Sequence, residues 1–511
     1  MNKKMMIYIY FIINTALIIY IPLTGHVNDY AYPTATMASI IINNGHINIP
    51  ELQMSIYWEG ALTIERDYPV PAILLAITRL ITAFPGAYVP YIPLSGFLPF
   101  LVFFAISKMK TEKKVILIYL LISYSLFIKI HGFYVGRATL GVAFQVLIVY
   151  LVLRLILMRD VKSFWLVNIV LIASYFTYYT TIIASTSIFF YIFITNRIRV
   201  LSIPSYIDLP VKCLLIISLN LLIFQSIVYS FSTISVFNFF TNLFSYMGAL
   251  LKINRDEAYA LHVGNVEVDI FARITSIWIG WILRLLVILV LLFYIVTKLK
   301  KFRKLDAATF DDVMAIIAIG SFTGELFYTV VAPTLSLRYL IMFSIFILPV
   351  VLQRKWITSL ILSLFIMFYI GTIYSVFVYG TSGQLFLLQR VIVFFYYYTP
   401  VVVTGSSYDT GYLFYTTYEN FHSLAVHYTT LGSLSLKLFG ANIDDINFAI
   451  SQLLSHNICY LVFIDNGKPV FGDAWGYAIT PSYIAKNLLS NTNILYNAHP
   501  TYLYYLSNII L

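Results

Sequence analysis

The stretch RATLGVAFQVLIVYLVLRLILMRDVKSFWLVNIVLIASYFTYYTTIIASTSIFFYIFITNR, residues 137–197, decides the fold of this chain. It holds three apolar runs, at 138–158, 163–177 and 179–195, that are separated by short connectors. Each run comes close to the roughly 20 residues that a helix needs to cross a bilayer. The first connector is basic and the second carries no charge. The stretch therefore predicts three consecutive membrane-spanning helices whose connectors lie on opposite sides of the membrane.

Eight further apolar spans flank this stretch, which predicts an α-helical polytopic membrane protein with about 11 transmembrane helices. They lie at about 5–23, 90–107, 115–131, 212–231, 274–297, 312–333, 338–353 and 356–379. The composition agrees with this interpretation, since 60% of the residues are hydrophobic and only 11% are charged. Such values exclude an ordinary soluble globular domain. The richness in Ile, Tyr and Asn, with only two cysteines, favours a prokaryotic source.

Clusters of lysine and arginine mark one side of the predicted membrane. The clusters are Lys3 and Lys4; Lys108, Lys110, Lys113 and Lys114; Arg154, Arg159 and Lys162; Arg197, Arg199 and Lys212; Lys298, Lys300, Lys301, Arg303 and Lys304; and Arg354 and Lys355. An even number of spans separates each cluster from the next, so the positive-inside rule makes all of them cytoplasmic. This predicts a multi-pass protein of the cell membrane with a cytoplasmic N-terminus and an extracellular C-terminus. The net charge of +10 therefore orients the protein and does not indicate a nucleic-acid partner.

The apolar segment 70–84 is not counted among the spans. It carries Arg79, and a span at this place would put every later basic cluster outside. We therefore expect an amphipathic helix that lies in the outer interface of the membrane, with Arg79 as an interface anchor. The first outer loop then covers 24–89, and a second large outer loop covers 232–273.

The amino-acid composition changes near residue 379, where the apolar spans end. This divides the chain into a transmembrane domain, 1–379, and a small extracytoplasmic α/β domain, 380–511. Within the second domain the patterns predict strands and helices in alternation. The strands are expected at 401–405, 423–428, 458–464 and 494–505, and the helices at 444–456 and 483–489.

Acidic and basic residues on the predicted outer face indicate a reaction centre. Asp29 follows the first span closely, while Glu65 and Asp67 directly precede the interfacial helix. The outer ends of other spans carry Lys129, His131, Arg137, Arg273, Arg338 and Tyr339. Basic groups can hold the phosphate of a lipid-linked sugar donor, and an acid can deprotonate or orient the acceptor that attacks the sugar. Each basic residue could instead be an anchor that extends toward the lipid headgroups.

Glu325 is the one acid placed well inside a predicted span, in its outer half. An ionised carboxylate near the middle of a membrane costs about 2.5 to 3.5 kcal/mol on insertion scales, so it needs a partner or an aqueous cavity. Arg338 is a candidate partner, and both a structural ion pair and a functional role stay open. No spacing of histidine, cysteine or acidic residues is typical of a metal site. We therefore assign no metal ligands and no cofactor, with a divalent metal ion left open.

The arrangement resembles the polytopic glycosyltransferases of the GT-C class, which include protein O-mannosyltransferases, lipid A aminoarabinose transferases and the catalytic subunit of oligosaccharyltransferase. The matching pieces are His26-Val27-Asn28-Asp29-Tyr30, Asp67-Tyr68-Pro69 and the pair Arg338-Tyr339, with strand-forming segments near the C-terminus. The resemblance implies inverting transfer of a sugar from a polyprenyl-phosphate donor to a lipid, glycan or protein acceptor. It also implies Asp29 as the base, with Arg338 and Arg137 on the donor phosphate.

The chain departs from the family pattern at two places. Asp29 is followed by Tyr30 and not by a second acid, and Asp473-Ala474-Trp475-Gly476-Tyr477 does not reproduce the WWDYG signature of oligosaccharyltransferase. We therefore expect transfer of a single sugar in preference to en bloc transfer to asparagine. A polymerase or ligase, a transporter or flippase of lipid-linked glycans, and a non-catalytic platform that displays the C-terminal domain are the alternatives. The absence of an internal sequence repeat argues against the transporter.

Overall fold

The structure is a computed structural model that describes part of the chain. The described ranges are 31–47, 66–83, 137–198, 203–228, 266–268, 309–331, 401–404, 460–464, 477–479, 494–498 and 501–505, with isolated helical positions within 12–16, 282–289, 360–370, 415–419 and 448–455. The spans predicted at 90–107, 115–131 and 338–353, the strand predicted at 423–428 and the helix predicted at 483–489 lie outside the described residues.

Seven helices have described bounds. They are α1 (Ala31–Asn44), α2 (Val70–Thr82), α3 (Arg137–Leu157), α4 (Lys162–Tyr175), α5 (Tyr179–Arg197), α6 (Ser205–Val228) and α7 (Phe310–Val331). Helices α3 to α7 coincide with five predicted spans, and α2 coincides with the predicted interfacial helix. One stretch of the described residues, Ser205–Phe224, is both long and apolar enough to cross a membrane by itself. The count of 11 spans therefore stays a prediction.

Helices α3 and α4 form a hairpin whose connector is ordered by Asp160. Its carboxylate accepts hydrogen bonds from Arg154 Nη2 at 2.6 Å, from Ser163 Oγ at 3.1 Å and from the backbone N–H of Lys162 at 3.2 Å. The carboxylate thus satisfies the backbone N–H of Lys162, the first residue of α4, and interacts favourably with the positive end of the helix dipole. The basic connector of the sequence is thus a tight turn in the structure.

Helices α3 and α5 run in the same direction at their contact. Thr181 Oγ1 donates a hydrogen bond to the carbonyl of Gly141 at 3.1 Å, and Ser185 Oγ donates one to Gln145 Oε1 at 3.0 Å. The two contacts are four residues apart on each helix and follow the same order. Arg137 and the beginning of α5 consequently lie at one end of the bundle, and the basic connector of the α3–α4 hairpin lies at the other.

Helices α5 and α7 run in opposite directions and approach each other closely. A Cβ atom added to Gly320 would lie 2.6 Å from Cα of Ile188, and one added to Gly324 would lie 3.0 Å from Cα of Ala184. Small residues four positions apart allow helix backbones to come this near in membrane proteins. The second half of α7 therefore runs toward the end of the bundle that carries Arg137.

Helix α1 is a second helix of the first outer loop, in which the sequence predicted the interfacial helix 70–84. Every residue from 32 to 40 is buried, and α1 packs against α2. The stretch contains Pro33, which falls in the first turn, where the missing N–H of a proline costs no helix hydrogen bond. The first outer loop thus contributes two packed helices to the fold.

The C-terminal part contains a mixed four-stranded sheet, whose strands are β2 (Val401–Thr404), β3 (Tyr460–Ile464), β5 (Ile494–Ala498) and β6 (Thr501–Tyr505). Their order in the sheet is β2-β3-β6-β5. β2 pairs parallel to β3, while the β3–β6 and β6–β5 pairs are antiparallel. All four strands lie within segments that the sequence predicts as strands. That they form a separate domain outside the membrane stays a prediction.

A second, two-stranded sheet connects distant parts of the sequence. β1 (Val266–Val268) pairs antiparallel with β4 (Tyr477–Ile479). β1 belongs to the predicted second outer loop, and β4 belongs to the C-terminal part. The pairing therefore joins that loop to the C-terminal part, which the sequence patterns did not predict.

Candidate active site

The candidate site lies at the end of the bundle where α3 and α5 begin. The connector Phe176–Tyr178 joins α4 to α5 at this end. The first outer loop meets the connector there, because the backbone N–H of Val70 donates a hydrogen bond to the carbonyl of Phe176 at 3.3 Å. The start of α2 is thereby fixed to the membrane bundle.

Asp67 is placed at this end by the start of α2, which begins three residues later. Arg66 Nε lies 3.4 Å from Asp67 Oδ1, and the two side chains are 48% and 22% exposed. Tyr68, the next residue, is buried with 5% of its surface exposed. Asp67 is thus a partly exposed acid beside a buried tyrosine, and the catalytic role that the sequence suggested for it stays a prediction.

Arg137 is the first residue of α3 and belongs to the same end of the bundle. Its Nη1 atom is buried and has no hydrogen-bond partner in the described part of the chain. A buried cationic nitrogen without a protein partner is suited to bind an anion, and a phosphate group supplies the acceptor oxygens that it needs.

Glu325 lies in the second half of α7, one residue after Gly324, which faces Ala184 of α5. Because α5 and α7 run in opposite directions, the backbone at 325 lies in the half of the bundle that leads to Arg137. The predicted pairing with Arg338 falls outside the described residues.

Several predicted site residues also lie outside the described residues. They are Asp29, Glu65, His131, Arg273, Arg338 and Tyr339. Asp29 nevertheless precedes the first residue of α1 by only two positions. The structure thus brings Asp67, Arg137 and the second half of α7 to one end of the bundle, and the grouping of the other candidates stays a prediction.

Sequence reasoning missed the partner of Arg79. The interface anchor that we expected is instead an ion pair, since Arg79 Nη1 and Nη2 lie 2.8 and 2.9 Å from the two carboxylate oxygens of Glu419. Ser39 of α1 joins the pair through hydrogen bonds to both side chains. The available signal was a single arginine in an apolar helix, because such a charge needs a partner. The sequence does not indicate which acid, 340 positions away, supplies it.

Within the described residues, no group of three or more His, Cys, Asp or Glu side chains is arranged to hold a metal ion. Carboxylate, imidazole and thiolate groups are the usual protein ligands of catalytic metals. The described side chains therefore supply no set of metal ligands, and the divalent metal ion that the sequence left open is not tested by them.

Two solved structures of the oligosaccharyltransferase from Archaeoglobus fulgidus are similar to this chain. The apo form has a TM-score of 0.50 at 11% sequence identity, and the match covers 90% of this chain and 69% of that one. The form tethered to an acceptor peptide that contains the NVT sequon has a TM-score of 0.46 at the same identity and coverage. The sequence itself matches no known family pattern and no curated protein.

At this level of identity the likeness to the apo form shows the fold and nothing finer. The chain has a GT-C-like fold, which is a fold of membrane proteins. The match extends over nearly the whole chain, which agrees with the architectural resemblance drawn from the sequence. It does not select among the branches of the GT-C class.

Proposed function

We propose that this protein is a membrane glycosyltransferase that moves a sugar from a polyprenyl-phosphate donor to a glycan, lipid or protein acceptor. The observation that carries the proposal is the buried, unpartnered Nη1 of Arg137 among the described residues, at the N-terminal end of α3. The fold supports it, because an oligosaccharyltransferase is built on the same fold. The reaction takes place on the outer face of the membrane, where the predicted topology puts Asp67 and Arg137.

The proposed chemistry is a single displacement at the anomeric carbon of the donor sugar. Asp29 accepts the proton of an acceptor hydroxyl, or orients an acceptor amide, while the acceptor forms the new bond. The bond between the anomeric carbon and the phosphate oxygen breaks on the opposite face, so the sugar inverts its configuration. The polyprenyl phosphate leaves with the bonding electron pair. Arg137, with Arg338, Arg273 and His131, stabilises the negative charge that grows on it.

Purified protein in nanodiscs, incubated with a lipid extract of its host, tests the proposal directly. Mass spectrometry of the glycolipids before and after incubation should show loss of one polyprenyl-phosphate sugar and gain of the free polyprenyl phosphate. Movement of an intact glycolipid across proteoliposomes, with no covalent change, would instead show a transporter. Absence of both changes in the complete extract would contradict both functions and favour the platform.

Substitution of Arg137 by Gln should lower kcat/KM for the donor about 30-fold, because one charge-assisted contact to phosphate contributes about 2 kcal/mol. The matched control is Arg159→Gln, since Arg159 is an exposed arginine in the connector at the other end of α3. We expect the control to keep wild-type kinetics. Equal losses in both variants would indicate a general effect of charge removal and would contradict a phosphate contact at Arg137.

A further inference from the structure

A polar cluster of three side chains joins the first outer loop to the C-terminal part of the chain. The cluster consists of Ser39 on α1, Arg79 on α2 and Glu419. Arg79 forms a bidentate pair with Glu419 at 2.8 and 2.9 Å, and Arg79 Nη1 donates a hydrogen bond to Ser39 Oγ at 2.9 Å. Ser39 Oγ also donates to Glu419 Oε1. One carboxylate therefore contacts both helices of the loop.

Tyr415 gives the same segment a second contact. It precedes Glu419 by one helical turn, and both positions are helical. Its side chain is completely buried, and its ring centroid lies 6.4 Å from that of Tyr32 at the start of α1. The segment 415–419 thus meets α1 near residue 32 and again at residue 39, and it meets α2 at residue 79. Three contacts of this kind fix the position of two helices relative to a third segment.

The chemistry of the cluster favours a geometric role. The side chains of Arg79 and Glu419 are only 21% and 15% exposed. Burial works against the charge of Arg79, but the hydrogen bonds and the charge of Glu419 outweigh it, so that the pKa of Arg79 is raised and the group stays cationic. Well-packed apolar residues often stabilise a protein as much as a buried ion pair. A planar guanidinium bound at two points fixes both distance and angle, which an apolar contact does not.

We propose that Glu419 is a positioning residue for the acids of the candidate active site, an inference that rests on the proposed function. Asp29 precedes α1 by two residues and Asp67 precedes α2 by three. Each acid lies close in sequence to the beginning of a helix that the cluster holds. The segment 415–419 sets how the two helices lie and thereby where their acids stand. The C-terminal part is then required for the speed of the transfer step and not for donor binding.

Hydrogen exchange measured by mass spectrometry tests the structural half of this proposal without a substrate. In the Glu419→Gln variant, exchange in peptides from α1 and α2 should rise about tenfold, because a charge-assisted pair is lost. Peptides from α5 should keep their wild-type exchange. Asp160→Asn is the matched control, since it breaks a partly buried ion pair with Arg154 in a different part of the molecule. Unchanged exchange of α1 and α2 in Glu419→Gln would overturn the proposal.

Steady-state transfer tests the functional half. We expect Glu419→Gln to lower kcat about 30-fold with donor KM within about twofold, because a small displacement of a catalytic group slows the chemical step and leaves binding intact. The double variant Arg79→Glu with Glu419→Arg should recover at least a third of the loss in log units, since it restores an ion pair with reversed charges. A higher KM at unchanged kcat, or a double variant as slow as the single ones, would overturn the positioning role.

The two measurements separate failure of this proposal from failure of the proposed function. Wild-type protein that transfers no sugar, combined with the expected exchange in Glu419→Gln, would refute the transferase function and the positioning role with it. Transfer by the wild type, combined with unaltered exchange or unaltered kcat in Glu419→Gln, would refute the positioning role alone.

Discussion

Substitution of Asp29 by Asn should lower kcat for sugar transfer about 1,000-fold while the protein still inserts and folds. A general base contributes roughly 10²- to 10⁴-fold, and asparagine keeps the shape of the side chain but cannot accept the proton. Donor KM should change little, because the proposed phosphate contacts come from other residues. The measurement is the rate of free polyprenyl phosphate release with the wild type and the variant in the same nanodiscs.

Asp67→Asn is the discriminating control for the base. Asp67 lies in the same outer loop and is the acid that the structure places at the beginning of α2. If Asp67→Asn abolishes transfer and Asp29→Asn does not, Asp67 is the base and the role assigned to Asp29 is wrong. If both variants keep more than a tenth of the wild-type rate, neither carboxylate acts as the base. Size-exclusion profiles of both variants should match the wild type, which excludes misfolding as the cause of a loss.

The sequence predicts a helix well where a long apolar segment is bounded by residues that favour helix ends, such as proline. The segment 70–84 is framed by prolines, and α2 runs from Val70 to Thr82, ending at Ala83 in the left-handed conformation. Helix α6 begins at Ser205, seven residues before the predicted span, although it contains Pro210. Lys212 forms a 2.5 Å ion pair with Asp208, one turn before it, within the added part of the helix. Charge near a predicted span end had suggested a loop at this place.

The local sequence pattern did not predict contacts between residues that are far apart along the chain. Helix α1 contains Thr, Ser, Asn and Pro, which are common in loops, and the burial of its residues 32–40 is a tertiary feature that the local pattern does not show. The pairing of β1 with β4 and the ion pair of Arg79 with Glu419 join residues more than 200 positions apart. Such contacts follow from how the elements pack, and no spacing along the chain encodes them.

For the candidate site, residue types in the sequence indicated which residues to consider, but the sequence did not predict the distances between them. The expectation that Arg137 lies at an outer helix end came from its place before an apolar run, and α3 is described from Arg137 onward. That its Nη1 is buried without a partner among the described residues depends on packing around the start of the helix. The spacing of Gly320 and Gly324 was a readable signal for a close helix contact, and the sequence interpretation did not use it.

Substitution of Gly320 by Leu should destabilise the protein by about 3 kcal/mol or more, because the α5–α7 contact cannot accept a side chain at this position. A Cβ atom alone would lie 2.6 Å from Cα and 2.9 Å from N of Ile188, and both are backbone atoms. Backbone cannot rotate away as the end of a side chain can, so the helices must separate. Thr323 Oγ1, which lies 3.0 Å from the hydroxyl of Tyr191, should lose its contact as they do. Thermal unfolding followed by size exclusion should show the loss as a lower Tm.

Alanine substitutions at the two glycines give a graded test of the same contact. Gly→Ala stabilises an isolated helix by about 1 kcal/mol, so a net loss has to come from the packing. Gly320→Ala should lower Tm clearly, because the new Cβ meets backbone at a distance that real structures do not show. Gly324→Ala should lower it less, since its nearest contact would be 3.0 Å and a few tenths of an ångström of adjustment suffice. A Gly324 variant that is less stable than the Gly320 variant would contradict the close approach at Ile188, and with it the placement of the second half of α7 beside the candidate site.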